Sequence, residues 1–180
     1  MSRSMIALAA LATVSAPAFA QGFYADAGYT FINIDVEEDG LSGDVDLGAI
    51  SGRLGYNFSE WLALEAEGAI GVEDEEVSGG GIDASIGLNY LIGGYVKGQV
   101  PLGERVNLYA RAGIVQAELE AEVSGGGFSD SDSASETGAG YGAGAEFAVT
   151  EKFGIRGDYT RYDIEDIEAD AFTVAATFKF

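Results

Sequence analysis

Apolar and polar residues alternate along most of the chain downstream of position 21. At the C-terminus, every second position from Phe172 to Phe180 is apolar, and Thr173 and Lys179 are among the residues between them. Residues 138–149 show the same alternation. A period of two is typical of a β-strand with one apolar face. The pattern therefore predicts an all-β chain built from amphipathic strands.

Eight segments alternate in this way. They span 22–34, 45–57, 61–72, 83–100, 106–119, 138–149, 153–163 and 171–180. Short connections lie at 59–60, 102–104 and 150–151, whereas acidic or Gly/Ser-rich loops are expected at 35–44, 73–82, 120–137 and 164–170. Short and long connections alternate, which predicts an eight-stranded antiparallel up-and-down transmembrane β-barrel. Strands of roughly 9–12 residues are long enough for a tilted membrane crossing.

Aromatic residues concentrate at both ends of the predicted strands. One set lies near the short turns and the C-terminus: Phe58, Trp61, Phe147, Phe153, Phe178 and Phe180. A second set lies towards the long connections: Tyr29, Phe31, Tyr159 and Phe172. Two aromatic girdles flanking an apolar band are typical of barrels that cross a membrane.

The first twenty residues have the features of a secretory signal. Arg3 supplies a positive charge, residues 5–14 are apolar, and Ala18-Phe19-Ala20 forms an A-x-A cleavage site before Gln21. We expect cleavage after Ala20 and a single barrel domain over residues 21–180. No stretch of the sequence approaches the ~20 apolar residues that a transmembrane helix needs.

The amino-acid composition excludes several kinds of reactive site and partner. The 180 residues include 30 Asp and Glu, 9 Lys and Arg, no His and no Cys, giving a net charge of −21. Thiolate and imidazole chemistry is therefore excluded, along with disulfides. Phosphate would be repelled, so no nucleic-acid partner is expected. The 27 Gly and 2 Pro favour strands and turns over helices.

An outward apolar face would place ten charged residues in the interior. These are Asp26, Arg53, Glu65, Glu67, Lys97, Arg111, Glu146, Arg156, Asp158 and Lys179, five acids and five bases. Buried charges must pair, since an isolated one costs several kcal/mol. We therefore predict a lumen charge network that fills the barrel together with Tyr24 and Tyr109. The facing depends on register, because a one-residue slip would invert every assignment.

A soluble barrel of the lipocalin kind is the alternative. It would place the apolar faces in the cavity and the ten charges in water. Export, strand length and the alternation of short and long turns favour the membrane barrel.

The acidic connections are candidate sites for weak divalent-cation binding. Their carboxylates are Glu37, Glu38, Asp39, Glu73, Asp74, Glu75, Glu76, Asp130 and Asp132. Oxygen ligands suit Ca²⁺ and Mg²⁺. Residues 130–133 resemble part of a calcium loop but lack the Gly and terminal Glu of an EF-hand. No specific metal site and no cofactor are expected.

Three short sequence segments resemble those of a known protein family: Leu54-Gly55-Tyr56-Asn57-Phe58, Asn107-Leu108-Tyr109-Ala110-Arg111 and Ala176-Thr177-Phe178-Lys179-Phe180. Together with the signal and the eight segments, they resemble the small outer-membrane β-barrel proteins of Gram-negative bacteria. These include the porin family and the transmembrane domain of outer-membrane protein A. The resemblance implies an outer-membrane location and Phe178 and Phe180 as a signal for the assembly machinery. It also implies contact with outer-membrane lipid and lipopolysaccharide, most simply as a monomer.

Function is less constrained. We expect a structural or surface-interaction protein with a charge-plugged lumen and acidic surface loops. A small-solute porin of low conductance is the alternative. An enzyme is not expected, because enzymatic outer-membrane barrels such as lipid A acylases, deacylases and surface proteases rely on His, which this chain lacks. Glu65 and Glu67 could serve a glycosidase in principle, but ion pairing explains them more simply.

Overall fold

The computed structural model describes residues 22–38, 41–73, 75–79, 82–125, 128–164 and 167–180. Side chains are described for 22–34, 46–72, 85, 87–120, 133–164 and 168–180. The predicted signal peptide lies outside these residues, so its cleavage stays a prediction. Within the described part, no helix is long and apolar enough to cross a membrane.

The described chain is almost entirely β-strand. The strands are β1 (Gly22–Glu38), β2 (Leu41–Asn57), β3 (Leu62–Glu73), β4 (Glu75–Gly79), β5 (Ile82–Leu102), β6 (Val106–Gly125), β7 (Phe128–Ala148), β8 (Phe153–Ile164) and β9 (Ile167–Lys179). Both β3 and β4 pair with β5, with β4 alongside the first residues of β5. The nine described strands therefore occupy eight places around the barrel, because β3 and β4 lie one after the other along the same edge of β5.

The sheet closes on itself with every neighbouring pair antiparallel. The order is β3-β2-β1-β9-β8-β7-β6-β5, and the β3–β5 pairing completes the ring. The N-terminal and C-terminal strands are neighbours, since Tyr24 pairs with Lys179. Closure lets each strand bond on both sides, which a hydrocarbon environment requires. The predicted eight-stranded antiparallel barrel is confirmed.

Most of the described positions in the predicted long loops are strand, so the loop prediction is wrong for them. Residues 120–125 of β6 pair with 128–133 of β7, and β1 and β2 stay paired up to Glu38 and Leu41. β4 and the first residues of β9 likewise lie within predicted loops. Gly, Ser and acidic residues are poor strand formers, but β-propensity is weak beside the hydrogen bonds of a continuing hairpin. The barrel wall therefore extends well beyond the predicted strand ends.

The three short turns match the prediction and are fixed locally. Gly103 has φ of 79°, a left-handed conformation that glycine adopts without strain. The Thr150 hydroxyl accepts a hydrogen bond of 2.9 Å from the Phe153 N–H, and the Ser59 hydroxyl accepts one of 3.2 Å from the Trp61 N–H. Side-chain acceptors of this kind stabilise tight turns.

The outer wall is apolar between two aromatic belts. Exposed hydrophobic side chains include Ile50, Leu54, Leu64, Ile70, Ile92, Val96, Ile114, Ile155 and Val174. Phe23 and Phe31 lie eight residues apart on β1, which corresponds to about 20 Å of height for a tilted strand. Along β8, exposed or partly exposed positions alternate with buried ones without exception. This alternation places the other face of each strand in the interior.

Candidate functional site

The ten charged residues predicted for the lumen all lie on the inward faces of their strands. Nine of them are buried, and Arg156 has no exposed surface. Lys179 lies at the mouth beside the short turns, with 41% of its side chain exposed. The barrel brings together in space charges that are up to 130 residues apart in the chain.

One cluster centres on Glu67 and Asp158. Arg53 donates from Nε to Glu67 at 2.5 Å and binds both oxygens of Asp158, at 2.9 and 3.0 Å. Arg111 donates to Glu67 at 2.5 Å, and its Nη2 lies 3.5 Å from Asp158. The four side chains come from β2, β3, β6 and β8. The ion pairs therefore cross the interior rather than follow one wall.

A second cluster centres on Glu65 and Arg156. Arg156 donates to Asp26 at 2.6 Å and to both oxygens of Glu65, at 2.6 and 3.1 Å. The Lys97 ammonium lies 3.0 Å from Glu65. These contacts link β1, β3, β5 and β8.

A third pair lies closest to the short turns, where the Lys179 ammonium is 2.6 Å from Glu146. Each of the five acids thus has a basic partner within the described interior. Charge balance of this kind is what makes a buried set of ions tolerable.

Tyrosines complete the clusters. Tyr95 and Tyr162 both donate to Glu67, at 3.2 and 2.9 Å, and Tyr24 donates to Glu65 at 2.6 Å. The Arg111 guanidinium lies 4.3 Å from the centre of the Tyr95 ring, within cation–π range. Sequence reasoning included Tyr24 and Tyr109 but missed Tyr95 and Tyr162. The signal was present, since Tyr95 is two residues before Lys97 and therefore on the same face.

Glycines on the inner face make room for these large side chains. A Cβ on Gly55 would lie 2.1 Å from the Tyr24 ring, and one on Gly144 would lie 2.4 Å from the Tyr109 hydroxyl. Such separations are impossible for real atoms, so the bulky residues depend on the missing Cβ.

The interior is not charged throughout, which sequence reasoning did not anticipate. Towards the long hairpins, the inward faces become apolar. The buried members of this apolar layer are Ile32, Ile34, Leu47, Ala49, Leu88, Leu91, Val115, Ala117, Ile164, Ala169 and Ala171, with Tyr95 and Tyr162 bordering the ion pairs. They leave a cavity of about 60 Å³. Two layers of different chemistry thus fill the lumen in series.

The opposite end of the lumen is polar and open. A vestibule of about 340 Å³ lies beside the short turns, bordered by Glu146 and Lys179. Its side chains are linked in a chain, in which Asn107 donates to Gln99 at 3.1 Å and Gln99 donates to Asn57 at 3.0 Å.

Two other predicted groups are the acidic residues of the long connections and the terminal phenylalanines. The acidic residues proposed for cation binding lie outside the described side chains. Within the side chains that are described, no group of three or more acidic residues is arranged to hold a metal ion. Phe178 packs against Phe153 and Phe180, with ring centres 5.0 and 5.1 Å apart. The Phe180 N–H donates to the Phe23 carbonyl at 3.1 Å.

The chain is similar to known proteins in both sequence and structure. The sequence matches the family model described as outer membrane protein beta-barrel domain over residues 6–180. No curated protein matches the chain in sequence.

Several solved structures share the fold. Ail, the attachment invasion locus protein of Yersinia pestis, has a TM-score of 0.62 at 22% identity, covering 88% of this chain and 99% of that one. Neisserial surface protein A has a TM-score of 0.64 at 18% identity, covering 88% and 97%. The N-terminal barrel domain of Pseudomonas aeruginosa OprF has a TM-score of 0.55 at 15% identity, covering 89% and 98%.

Proposed function

This chain belongs to the outer membrane protein beta-barrel domain family and lies in the bacterial outer membrane, and from that premise we propose that it is a closed barrel with a structural or surface-interaction role. Its lumen is plugged by charge pairs, and its long hairpins are presented at the cell surface. Short turns of such barrels face the periplasm and long connections face outward.

The observation that carries the proposal is the set of contacts to Glu67. This carboxylate accepts hydrogen bonds from Arg53, Arg111, Tyr95 and Tyr162, which come from four other strands. An eight-stranded barrel has an interior that side chains just fill. Opening a path for ions would require these buried contacts to separate, and breaking a buried ion pair is costly.

The apolar layer supports the same proposal independently. Leu47, Leu88 and Leu91 lie above the ion pairs and offer an ion nothing to replace its hydration shell. Hydrophobic constrictions close channels by excluding water. The two layers would act in series, so each would have to open before ions could pass.

Catalysis is not part of the proposed role. Glu65 and Glu67 resemble a glycosidase pair only in sequence spacing, because each is already bonded to arginine in the closed interior. The proposed partners are outer-membrane lipid, including lipopolysaccharide, and the assembly machinery acting through Phe178 and Phe180. The acidic hairpins would approach anionic lipid through divalent cations. The protein would work as a monomer without a cofactor.

A small pore is the second candidate, and the vestibule beside Glu146 and Lys179 favours it. A cavity of about 340 Å³ already lies at the mouth of the lumen beside the short turns. Only the layers above it would have to rearrange.

Single-channel recording separates the two candidates. The refolded chain, inserted into a planar bilayer, should give no stable conductance above baseline. Resistance to protease and heat-dependent mobility on gels would establish that the same preparation is folded and inserted. A stable ohmic conductance from that preparation would overturn the closed-barrel proposal and establish the pore.

A further inference from the structure

Nearly all basic side chains of the described barrel contact a carboxylate, and the exceptions lie at the short turns. Each basic residue of the interior has an acidic partner, and so does Arg161 on the outer wall. Among the described side chains, Arg105 and Lys152 are the two that form no ion pair with a carboxylate. Arg105 lines the vestibule beside the short turns. Its guanidinium is therefore available there for an anionic group from outside the chain.

The wall of the same vestibule holds oxygen atoms that lack donors. The amide nitrogen of Asn107 donates to Gln99, but its Oδ1 atom is buried and accepts no hydrogen bond from the described residues. Asn107 pairs across the β6–β7 ladder with Glu146, whose one basic contact in the described interior is Lys179. Buried oxygens without a donor are uncommon, because the lost hydrogen bond destabilises the fold. An ammonium group would satisfy both residues.

The backbone brings the guanidinium close to these acceptors. The Ala148 N–H donates to the Arg105 carbonyl at 2.7 Å, which continues the β6–β7 ladder beyond Val106. Arg105 and Asn107 are therefore neighbours along one extended stretch, with α-carbons about 7 Å apart. A ligand that bridges them must carry its positive and negative groups close together.

We propose that the vestibule binds a free α-amino acid with a small side chain. The ligand carboxylate would pair with Arg105, and the ligand ammonium would donate to Asn107 Oδ1 and to Glu146. Arginine binds carboxylates through two parallel hydrogen bonds, which adds orientation to affinity. The cavity of about 340 Å³ is near the lower limit for ligand pockets, which favours a small molecule. A closed barrel does not require such a site, so the inference goes beyond the proposed function.

The charges of the lining favour a ligand with both signs over an ion of one sign. Glu60 and Glu104 also line the vestibule, and neither forms an ion pair with a described basic residue. They would repel the second carboxylate of a dicarboxylic acid. Arg105 and Lys179 would likewise repel a diamine. An α-amino acid carries one group of each sign and meets neither penalty.

Binding can be measured on the whole refolded barrel in nanodiscs, with L-alanine as the probe. Side-chain amide NMR shifts of Asn107 and Gln99, and the backbone shift of Arg105, report occupancy. We expect saturable shifts with alanine. Propionate and ethylamine each carry one of the two charged groups, so each should bind at least about tenfold more weakly. Trialanine should also bind more weakly, because two peptide bonds separate its ammonium from its carboxylate.

Variants decide whether the named residues carry the binding. Arg105→Gln should weaken alanine binding about tenfold, since it removes the charged partner of the carboxylate. Asn107→Ala should weaken it about fivefold through the lost acceptor. Lys152→Gln is the matched control, because Lys152 is the other base without an ion pair but does not line the vestibule. It should leave alanine binding unchanged.

Three results would overturn the proposal: no shifts with alanine, equal affinities for alanine and propionate, or an equal loss in Lys152→Gln and Arg105→Gln. Conductance is recorded separately in a planar bilayer. A barrel that neither conducts nor binds alanine would overturn this inference and leave the closed-barrel proposal intact.

Discussion

Arg156 on β8 and Glu65 on β3 face each other across the barrel interior and share two hydrogen bonds, of 2.6 and 3.1 Å. Glu65 also receives the Tyr24 hydroxyl and the Lys97 ammonium. Replacing Glu65 by alanine would leave two buried cations without their main partner. Breaking a buried ion pair from one side costs about 3–5 kcal/mol.

We therefore expect Glu65→Ala to lower the free energy of unfolding in urea by about that amount. Glu65→Gln should lose less, because the amide oxygen still accepts a hydrogen bond. Glu168→Gln, at an exposed ion pair on the outer wall, is the control and should change little. Similar losses of unfolding free energy in Glu65→Ala and Glu168→Gln would mean that the buried ion pair stabilises the barrel no more than the exposed one.

Gly55 tests how tightly the interior is packed. The Tyr24 ring occupies the space that a Cβ on Gly55 would take, so Gly55→Ala should force the tyrosine away from Glu65. Overpacking typically costs about 1–3 kcal/mol. Gly98 on β5 has nothing within 4 Å of its Cβ position, so Gly98→Ala should be nearly neutral. Unfolding in urea measures both variants.

A double-mutant cycle identifies the cause of the loss at Gly55. Truncating Tyr24 to alanine removes the ring that the new Cβ would meet. The added cost of Gly55→Ala should then fall to a few tenths of a kcal/mol, because contacting residues couple by about 0.5–3 kcal/mol. An unchanged cost in the Tyr24→Ala background would place the strain elsewhere.

The facing of each residue was predictable, but the partners were not. Period-two alternation places Glu65, Glu67 and Arg156 on inward faces whatever the barrel's closure. That Arg53 meets Asp158, 105 residues away, depends on how β3 and β5 close the ring. No local pattern carries that information. Tyr95 and Tyr162 shared the charged face, but tyrosine is equally at home on either side of such a wall.

The extended hairpins and the apolar layer were not predicted from the sequence, for two different reasons. Residues 120–137 have the composition of a loop, but 120–125 and 128–137 lie in paired antiparallel strands, whose hydrogen bonds outweigh composition. Ile32 and Leu47 are on the same inward faces as Asp26 and Arg53, where the expectation was a uniformly polar lumen. The apolar layer lies around the height of the upper aromatic belt, since Ile32 follows Phe31 and pairs with Leu47. An apolar interior there packs as it would in a soluble protein.

The two-layer lumen predicts how conductance should respond to mutation. Arg53→Gln with Arg111→Gln removes two cations from the charged layer but leaves Leu47, Leu88 and Leu91 in place. We expect this variant to stay closed in a planar bilayer, because the apolar layer still excludes water. Adding Leu47→Ser and Leu91→Ser should produce conductance that neither pair of substitutions gives alone. Conductance from the arginine variant by itself would show that the apolar layer does not seal.

Phe180 separates a role in assembly from a role in stability. Phe180 is 72% exposed, so removing its ring should cost little packing within the barrel. If the terminal phenylalanine is read by the assembly machinery, Phe180→Ala should sharply reduce the amount of folded barrel in the outer membrane of cells. The purified variant should nevertheless refold with nearly unchanged resistance to urea.

Phe153→Ala is the matched control for Phe180, since that ring is 56% exposed in the same aromatic belt. It removes similar apolar surface from the lipid interface without altering the C-terminus. Phe153→Ala should therefore assemble in cells almost as well as the unmodified chain. If both variants reduced the amount of folded barrel in cells equally, the aromatic belt as a whole would explain the loss, since lipid contact is what the two rings share. A selective loss for Phe180→Ala, with refolding intact, would locate the signal at the end of β9.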